Sequence, residues 1–241
     1  MHIDIQLIPS APDADLLSNR AVIVIDVLRA TSAMVHAMSQ GAAEIIPVIK
    51  VKEAFQVAKT FPRGSTLLGG EKDTRKIQGF DLGNSPREYI AEKVKGKRLI
   101  MKTTNGTQAF HLVSSGTEIM VGSFFNIGAT VRRCLESDRD LLLFPSGDEG
   151  NFSLEDTVCG GMLIDLIIKR RERPVALTDA SHCARILYQR FEANLLEAFY
   201  VSRHGKELVD FGLEDDLPYC AQTDMFDVVP LYQKGAIRIS D

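Results

Sequence analysis

At several points along its 241 residues the chain sets carboxylates, an arginine and hydroxyl residues directly behind short apolar runs. In Val22-Ile23-Val24-Ile25-Asp26-Val27-Leu28-Arg29-Ala30-Thr31-Ser32 the run ends in a carboxylate, a guanidinium and two hydroxyls. Arg29 can fork onto a phosphate. Thr31 and Ser32 can cap a helix or offer donors to an anion held at its positive end. A second junction reads Met101-Lys102-Thr103-Thr104-Asn105-Gly106-Thr107. Its glycine lets backbone approach a ligand closely, and successive amides there can form an anion nest. Ser123 and Asn126 follow a third run, and Ser146-Gly147-Asp148-Glu149-Gly150 a fourth, with Ser153-Leu154-Glu155-Asp156 just beyond. Glu71 follows Leu67-Leu68-Gly69-Gly70, and Gly79–Pro86 is a turn-rich loop before a helix.

Each junction has a plainer explanation: a helix cap, an Asp26–Arg29 pair, or acidic residues in a first helical turn favoured by its dipole. Together they describe one site for phosphate and a divalent cation. That is the equipment of phosphoryl transfer, which needs positioning and charge neutralisation more than covalent chemistry.

Such junctions need strands to carry them. Short β-branched runs alternate with helix-period segments, which predicts an α/β protein, layered α/β/α, with a mostly parallel sheet. Expected strands are 3–8, 21–26, 44–49, 66–69, 98–102, 118–121 and 140–145. Expected helices are 30–39, 52–60, 87–94, 106–114, 127–135, 154–170 and 181–198. Residues 228–233 and 236–239, split at Lys234-Gly235, read as a hairpin capping the sheet edge. The segments Val22–Val48 and Leu99–Val121 share a strand–turn–helix–Gly–strand plan at an offset of about 75 residues. The expected organisation is one domain over 1–241, divisible into two similar subdomains at about 1–95 and 96–241.

Composition narrows the function further. A net charge of -4 gives no basis for nucleic-acid binding. The basic run Lys169–Arg173 reads as a charged helix end. No stretch nears the ~20 apolar residues of a membrane span, and the N-terminus lacks the basic flank of a signal peptide. The four cysteines form no Cys-x-x-Cys pair, so reduced thiols and a cytoplasmic setting are expected, with Cys159 and Cys220 as buried structural thiols. The five histidines show no metal-binding spacing.

The strings VIDVLRATS (24–32), GFDLGNSP (79–86), TTNGT (103–107), SLEDTVCGG (153–161) and EDDLPYC (214–220) resemble, in order and over nearly the whole chain, those of the 2-phosphosulfolactate phosphatases. The resemblance implies a Mg²⁺-dependent hydrolase that releases phosphate from (2R)-phosphosulfolactate, a step of coenzyme M biosynthesis. It also implies an α/β fold distinct from the haloacid-dehalogenase phosphatases. The roles follow from physical chemistry. Asp26, Glu71 and one of Glu155 or Asp156 would hold Mg²⁺. Arg29, with Thr31, Ser32, Thr103, Thr104, Asn105, Gly106, Thr107, Ser123 and Asn126, would surround the phosphate. Asp216 would activate water or protonate the leaving alkoxide. Lys102 and Lys72 are candidates for the substrate's other anionic groups, and a homodimer is a reasonable expectation. Three rivals stand: a haloacid-dehalogenase-like enzyme with Asp26 as nucleophile, although position 28 is Leu where that motif has a second Asp; a nucleotide-dependent kinase or transferase, although neither phosphate-loop fingerprint is present; and a non-catalytic anion-binding or regulatory module.

Overall fold

Val22 to Ile25 have no exposure on either side chain face. A strand so apolar on both faces has to be covered by helices above and below. The computed structural model describes residues 1–239, and this strand lies inside one 11-stranded sheet. The strands are β1 His2–Ile5, β2 Arg20–Ile25, β3 Glu44–Pro47, β4 Thr66–Lys72, β5 Arg75–Lys76, β6 Arg98–Lys102, β7 Glu118–Gly122, β8 Asp140–Pro145, β9 Ala176–Leu177, β10 Leu231–Gln233 and β11 Ala236–Arg238. The helices are α1 Ala14–Asn19, α2 Ala30–Ser39, α3 Val51–Ala58, α4 Ala91–Val94, α5 Gly106–Leu112, α6 Ile127–Ser137, α7 Leu154–Arg170, α8 Asp179–Phe191, α9 Leu195–Val201, α10 Arg203–Asp210 and α11 Asp216–Cys220. No helix among the described residues is long and apolar enough to cross a membrane.

The layered, mostly parallel α/β fold is the one the sequence predicts, and β6, β8, α2 and α7 have the expected bounds. Two expected helices are interrupted. Residues 87–94 give a 3-10 turn at Pro86–Glu88 and then α4, because Tyr89 turns wholly into the core, its hydroxyl donating to the Gly83 carbonyl at 2.6 Å. Residues 181–198 divide into α8 and α9 at a turn in which the Asn194 N–H reaches the Phe191 carbonyl at 2.9 Å. That turn redirects the chain so that Ala198 and Phe199 are also fully buried.

The larger correction concerns the C-terminal hairpin. It does not cap an edge. The strand order is β5-β4-β6-β3-β11-β10-β7-β2-β8-β1-β9, so β10 and β11 stand in the middle. The hairpin joins a half-sheet of β4, β6 and β3 to one of β7, β2, β8 and β1, each parallel within itself. Its strands run antiparallel to each other and to both flanking strands, β7 and β3. Glu44 of β3 secures the junction, accepting from Arg98 of β6 at 2.5 Å and pairing with Arg238 of β11.

Counted through the hairpin, β3 and β7 have opposite sense, so in a flat sheet the carboxyl ends of the halves would leave opposite edges. From β6 to β2 is also five strand steps, about 24 Å at the usual spacing. Yet residues after β2, β6 and β8 line one cavity.

Because Ile237 is fully buried and pairs with Ile45, Ile237→Ala is expected to cost about 2–4 kcal/mol in urea unfolding. A loss below about 1 kcal/mol, the scale of surface changes, would mean that the hairpin is peripheral to stability.

Candidate active site

The turn after β2 is built by its own polar atoms. Asp26 Oδ1 accepts from the Ala30 N–H at 3.0 Å, and its carbonyl from the Thr31 N–H at 2.9 Å. The Asp26 N–H donates to Thr31 Oγ1 at 2.9 Å, and Ser32 Oγ donates to the Val27 carbonyl at 2.8 Å. The anion at the start of α2 is therefore Asp26 itself, and Thr31 and Ser32 are fully buried in shaping the turn. On the neighbouring strand, Ser153 caps α7 by accepting from the Asp156 N–H at 3.3 Å. Asp156 in turn accepts from the Val27 N–H at 2.8 Å. Asp26 and Asp156 are thus held side by side.

The loop after β6 behaves alike. The backbone N–H groups of Thr103 and Thr107 donate to each other's hydroxyls at 3.1 and 3.0 Å. Thr104 instead turns to Glu71, its N–H donating at 2.5 Å and its hydroxyl at 3.1 Å. Asn105 Oδ1 accepts from the Glu149 N–H at 3.1 Å. Gly106 is a contact that only glycine allows: a Cβ there would lie 2.7 Å from Asp26 Oδ2 and 2.6 Å from Ala30 Cβ.

These segments surround a narrow cleft of about 30 Å³ that opens to solvent. Of the expected residues, Asp26, Arg29, Glu71, Thr103, Thr104 and Asn105 line it. Thr31, Ser32, Thr107, Glu155 and Asp156 are buried outside the lining. Ser123 and Asn126 also lie away from it. The Ser123 N–H donates to Asn126 Oδ1 at 3.0 Å, and Asn126 Nδ2 donates to the carbonyls of Val121 and Val228 at 3.0 and 2.9 Å, fixing the strand before the hairpin. Asp216 is 3% exposed, with one oxygen accepting from Arg29 at 2.7 Å and the other from Ser85 Oγ at 2.5 Å. Neither Lys102 nor Lys72 lines the cleft.

Other groups in the lining were not among the expected site residues. Thr74 connects three functional side chains: its carbonyl accepts from Arg29 at 3.0 Å, its N–H donates to Glu71 at 3.1 Å, and its hydroxyl donates to Glu207 at 2.9 Å. His204 and Glu207, one turn apart on α10, meet at 3.2 Å between Nδ1 and Oε2. Arg203 anchors that helix by donating to Asp148 at 2.5 Å and Glu149 at 3.1 Å. The available signal was His204 and Glu207 spaced i, i+3.

Charge is the dominant property of the cleft. Asp26, Glu71, Asp73, Asp148, Glu149 and Glu207 line it against one arginine, Arg29. Burial pushes Asp26, Glu155 and Asp156 above the ordinary carboxylate range, Asp156 further through the charges of Asp26 and Glu155. The Ala30 N–H partly offsets the effect at Asp26. Cys159 and Cys220 are buried free thiols, and burial raises both. Two buried atoms on the wall, Arg29 Nε and Asn84 Oδ1, have no partner.

Among the described residues no three His, Cys, Asp or Glu side chains form a ready-made metal cage. Mg²⁺ does not require one. It binds through one or two carboxylates, keeps several waters and takes substrate oxygens for the rest. An excess of hard oxygen donors around one guanidinium fits an ion held that way.

The chain matches the model of the 2-phosphosulpholactate phosphatase family over residues 7–235. A protein of Caldanaerobacter subterraneus named probable 2-phosphosulfolactate phosphatase is 39% identical over 231 residues, 96% of this chain and 95% of that one. Proteins with the same name from Clostridium novyi and Symbiobacterium thermophilum are 39% and 37% identical, over 95% and 94% of this chain and 96% and 97% of theirs.

The three buried carboxylates make stability depend on pH. Their folded pKa values lie above the unfolded value of about 4, so the folded protein binds more protons and loses stability as pH rises above that point. In metal-free protein, Asp156→Asn is expected to flatten the fall in Tm from about pH 5 to pH 8. A fall as steep as in the parent protein would contradict the mutual strain between these groups.

Proposed function

Since the chain belongs to the 2-phosphosulfolactate phosphatase family, we propose that it is a phosphoric monoester hydrolase, acting on (2R)-phosphosulfolactate or a similar phosphorylated small acid. The products are the hydroxy acid and phosphate, and the reaction belongs to coenzyme M biosynthesis. The observation that carries this reading is the cleft itself, in which carboxylates from both half-sheets surround a buried arginine with one unpartnered N–H. An anionic ester would not enter so acidic a space without a cation. Mg²⁺, held by Asp26 and Glu71 with Glu155 and Asp156 close behind, would supply charge neutralisation and polarise the phosphoryl group.

The remaining work falls to the chain. Arg29 is held by Asp216 and the Thr74 carbonyl, with Nε directed to a phosphate oxygen. With both oxygens bound and the side chain outside the cleft lining, Asp216 serves as the positioning group for Arg29. The proton needed by the leaving alkoxide comes from His204, which lines the cleft with Nδ1 held by Glu207 and Nε2 free to act. Thr103 and Thr107, bonded to each other, hold the loop that carries Thr104 and Asn105.

The test is phosphate release from phosphosulfolactate, phospholactate and phosphoglycerate, with and without Mg²⁺. Turnover of phosphosulfolactate that requires Mg²⁺ is expected. No turnover of any ester by folded, Mg²⁺-supplied protein would leave an anion-binding module. Asp26→Asn should lower kcat/KM by about 10³-fold. His204→Gln should lower kcat by about 10²-fold or more and remove one limb of the pH–rate profile. A His204→Gln enzyme with an unchanged profile would exclude His204 as the proton donor.

A further inference from the structure

Beside the acidic cleft lies a second, more open hollow, and Arg29, Thr74 and Asn84 line both. Its charges are mixed where those of the cleft are acidic. Arg75 and Lys76 join Arg29 there, beside Glu88 and Asp210. Arg29 is paired with Asp216 at 2.7 Å, while Glu88 accepts from the Gly83 N–H at 2.9 Å and keeps its charge. Arg75 and Lys76 are thus the two cations of the hollow open to an anion.

Both cations are held in place. They form β5, paired antiparallel with β4 so that Lys76 stands opposite Glu71 and Arg75 opposite Lys72. The Arg75 guanidinium lies over the Phe211 ring, 4.9 Å from its centre, a contact that keeps it over the hollow. Arg29 and Asn84, side chains 3% and 6% exposed that line both spaces, each carry an unpartnered buried atom, Nε and Oδ1. Buried polar atoms are rarely left unpaired without a reason. Here an orphan donor and an orphan acceptor belong to the side chains common to the acidic space and to the one that holds Arg75 and Lys76.

We propose that Arg75 and Lys76 of this hollow seat a second anionic group of the substrate while the phosphate occupies the acidic cleft. Arg75 and Lys76 bind a sulfonate or carboxylate carried on the carbon chain next to the ester, and Asn84 meets the polar atoms between. The protein then selects phosphate esters of small acids over esters with uncharged tails. This rests on the phosphatase reading of the cleft. It also gives the cationic role to Arg75 and Lys76, while Lys102 donates to the Glu71 carbonyl at 3.3 Å.

Arg75 and Lys76 are exposed, so Arg75→Gln and Lys76→Gln, singly and together, are expected to fold. The first measurement is kcat/KM for phosphosulfolactate, phospholactate and isopropyl phosphate, the last having no second anion. The double variant should reduce the preference for phosphosulfolactate over isopropyl phosphate by about tenfold or more, mainly through KM, as expected for loss of charged hydrogen bonds. If the preference for phospholactate falls equally, the seated group is the carboxylate; if only that for phosphosulfolactate falls, it is the sulfonate. An unchanged preference in the double variant overturns the proposal. The second measurement is calorimetric binding of sulfolactate, which requires no turnover. Binding that weakens in the double variant, from a protein that hydrolyses nothing, would end the phosphatase reading and keep the anion seat. Hydrolysis with binding insensitive to both substitutions would do the opposite.

Discussion

A guanidinium at 3% exposure must be neutralised where it lies, and the site is organised around how Arg29 meets that demand. Its partners come from far along the chain: the Asp216 carboxylate 187 residues away and the Thr74 carbonyl 45 residues away. Ser85 binds the free oxygen of Asp216, which adds the loop before α4 to the same cluster. A buried pair of this kind contributes little net stability, but removing one member leaves an unpaired buried charge and is costly. Its effect is to permit one arrangement of the turn after β2, the β4–β5 turn and α11. The turn after β2 and the β4–β5 turn line both the acidic cleft and the hollow beside it.

The carboxylates impose the opposite condition. Asp26 follows β2 and Asp156 lies in the first turn of α7, each accepting from backbone N–H groups at the turn after β2, and burial with the charge of neighbouring carboxylates makes ionisation unfavourable. A fold with only packing to satisfy would gain from replacing them by apolar groups of similar volume. Their position beside a space for a charged ligand makes the arrangement intelligible: the cost in the empty protein becomes attraction once a cation shares the space. Stability is given up locally where function needs an unbalanced field.

Much of this was legible in the sequence because it is local. The apolar run and polar turn at residues 22–32 predict β2, α2 and the place of Asp26 and Arg29, and the Thr103–Thr107 loop was found by the same pattern. What was not legible are the partners that each side chain finds. Thr31 and Ser32 look like anion donors, but Thr31 Oγ1 accepts from the Asp26 N–H and Ser32 Oγ donates to the Val27 carbonyl, each five residues earlier. Ser123 and Asn126 follow an apolar strand as the other junctions do, but Asn126 binds the Val228 carbonyl and belongs to the hairpin joint. His204 and Glu207 reach the cleft only because Arg203 binds Asp148 and Glu149 some 55 residues earlier. Central placement of the last two strands is likewise a property of topology, which hydropathy does not encode.

That placement also governs how the chain is made. Synthesis delivers residues from the N-terminus, and domains begin to fold as they emerge. Here β1 to β9 are complete well before β10 and β11 exist, so the two half-sheets must wait with β3 and β7 open at facing edges. Unpaired strand edges are templates for association with other chains. Until residues 231–238 have been synthesised, the nascent protein therefore carries two adhesive borders.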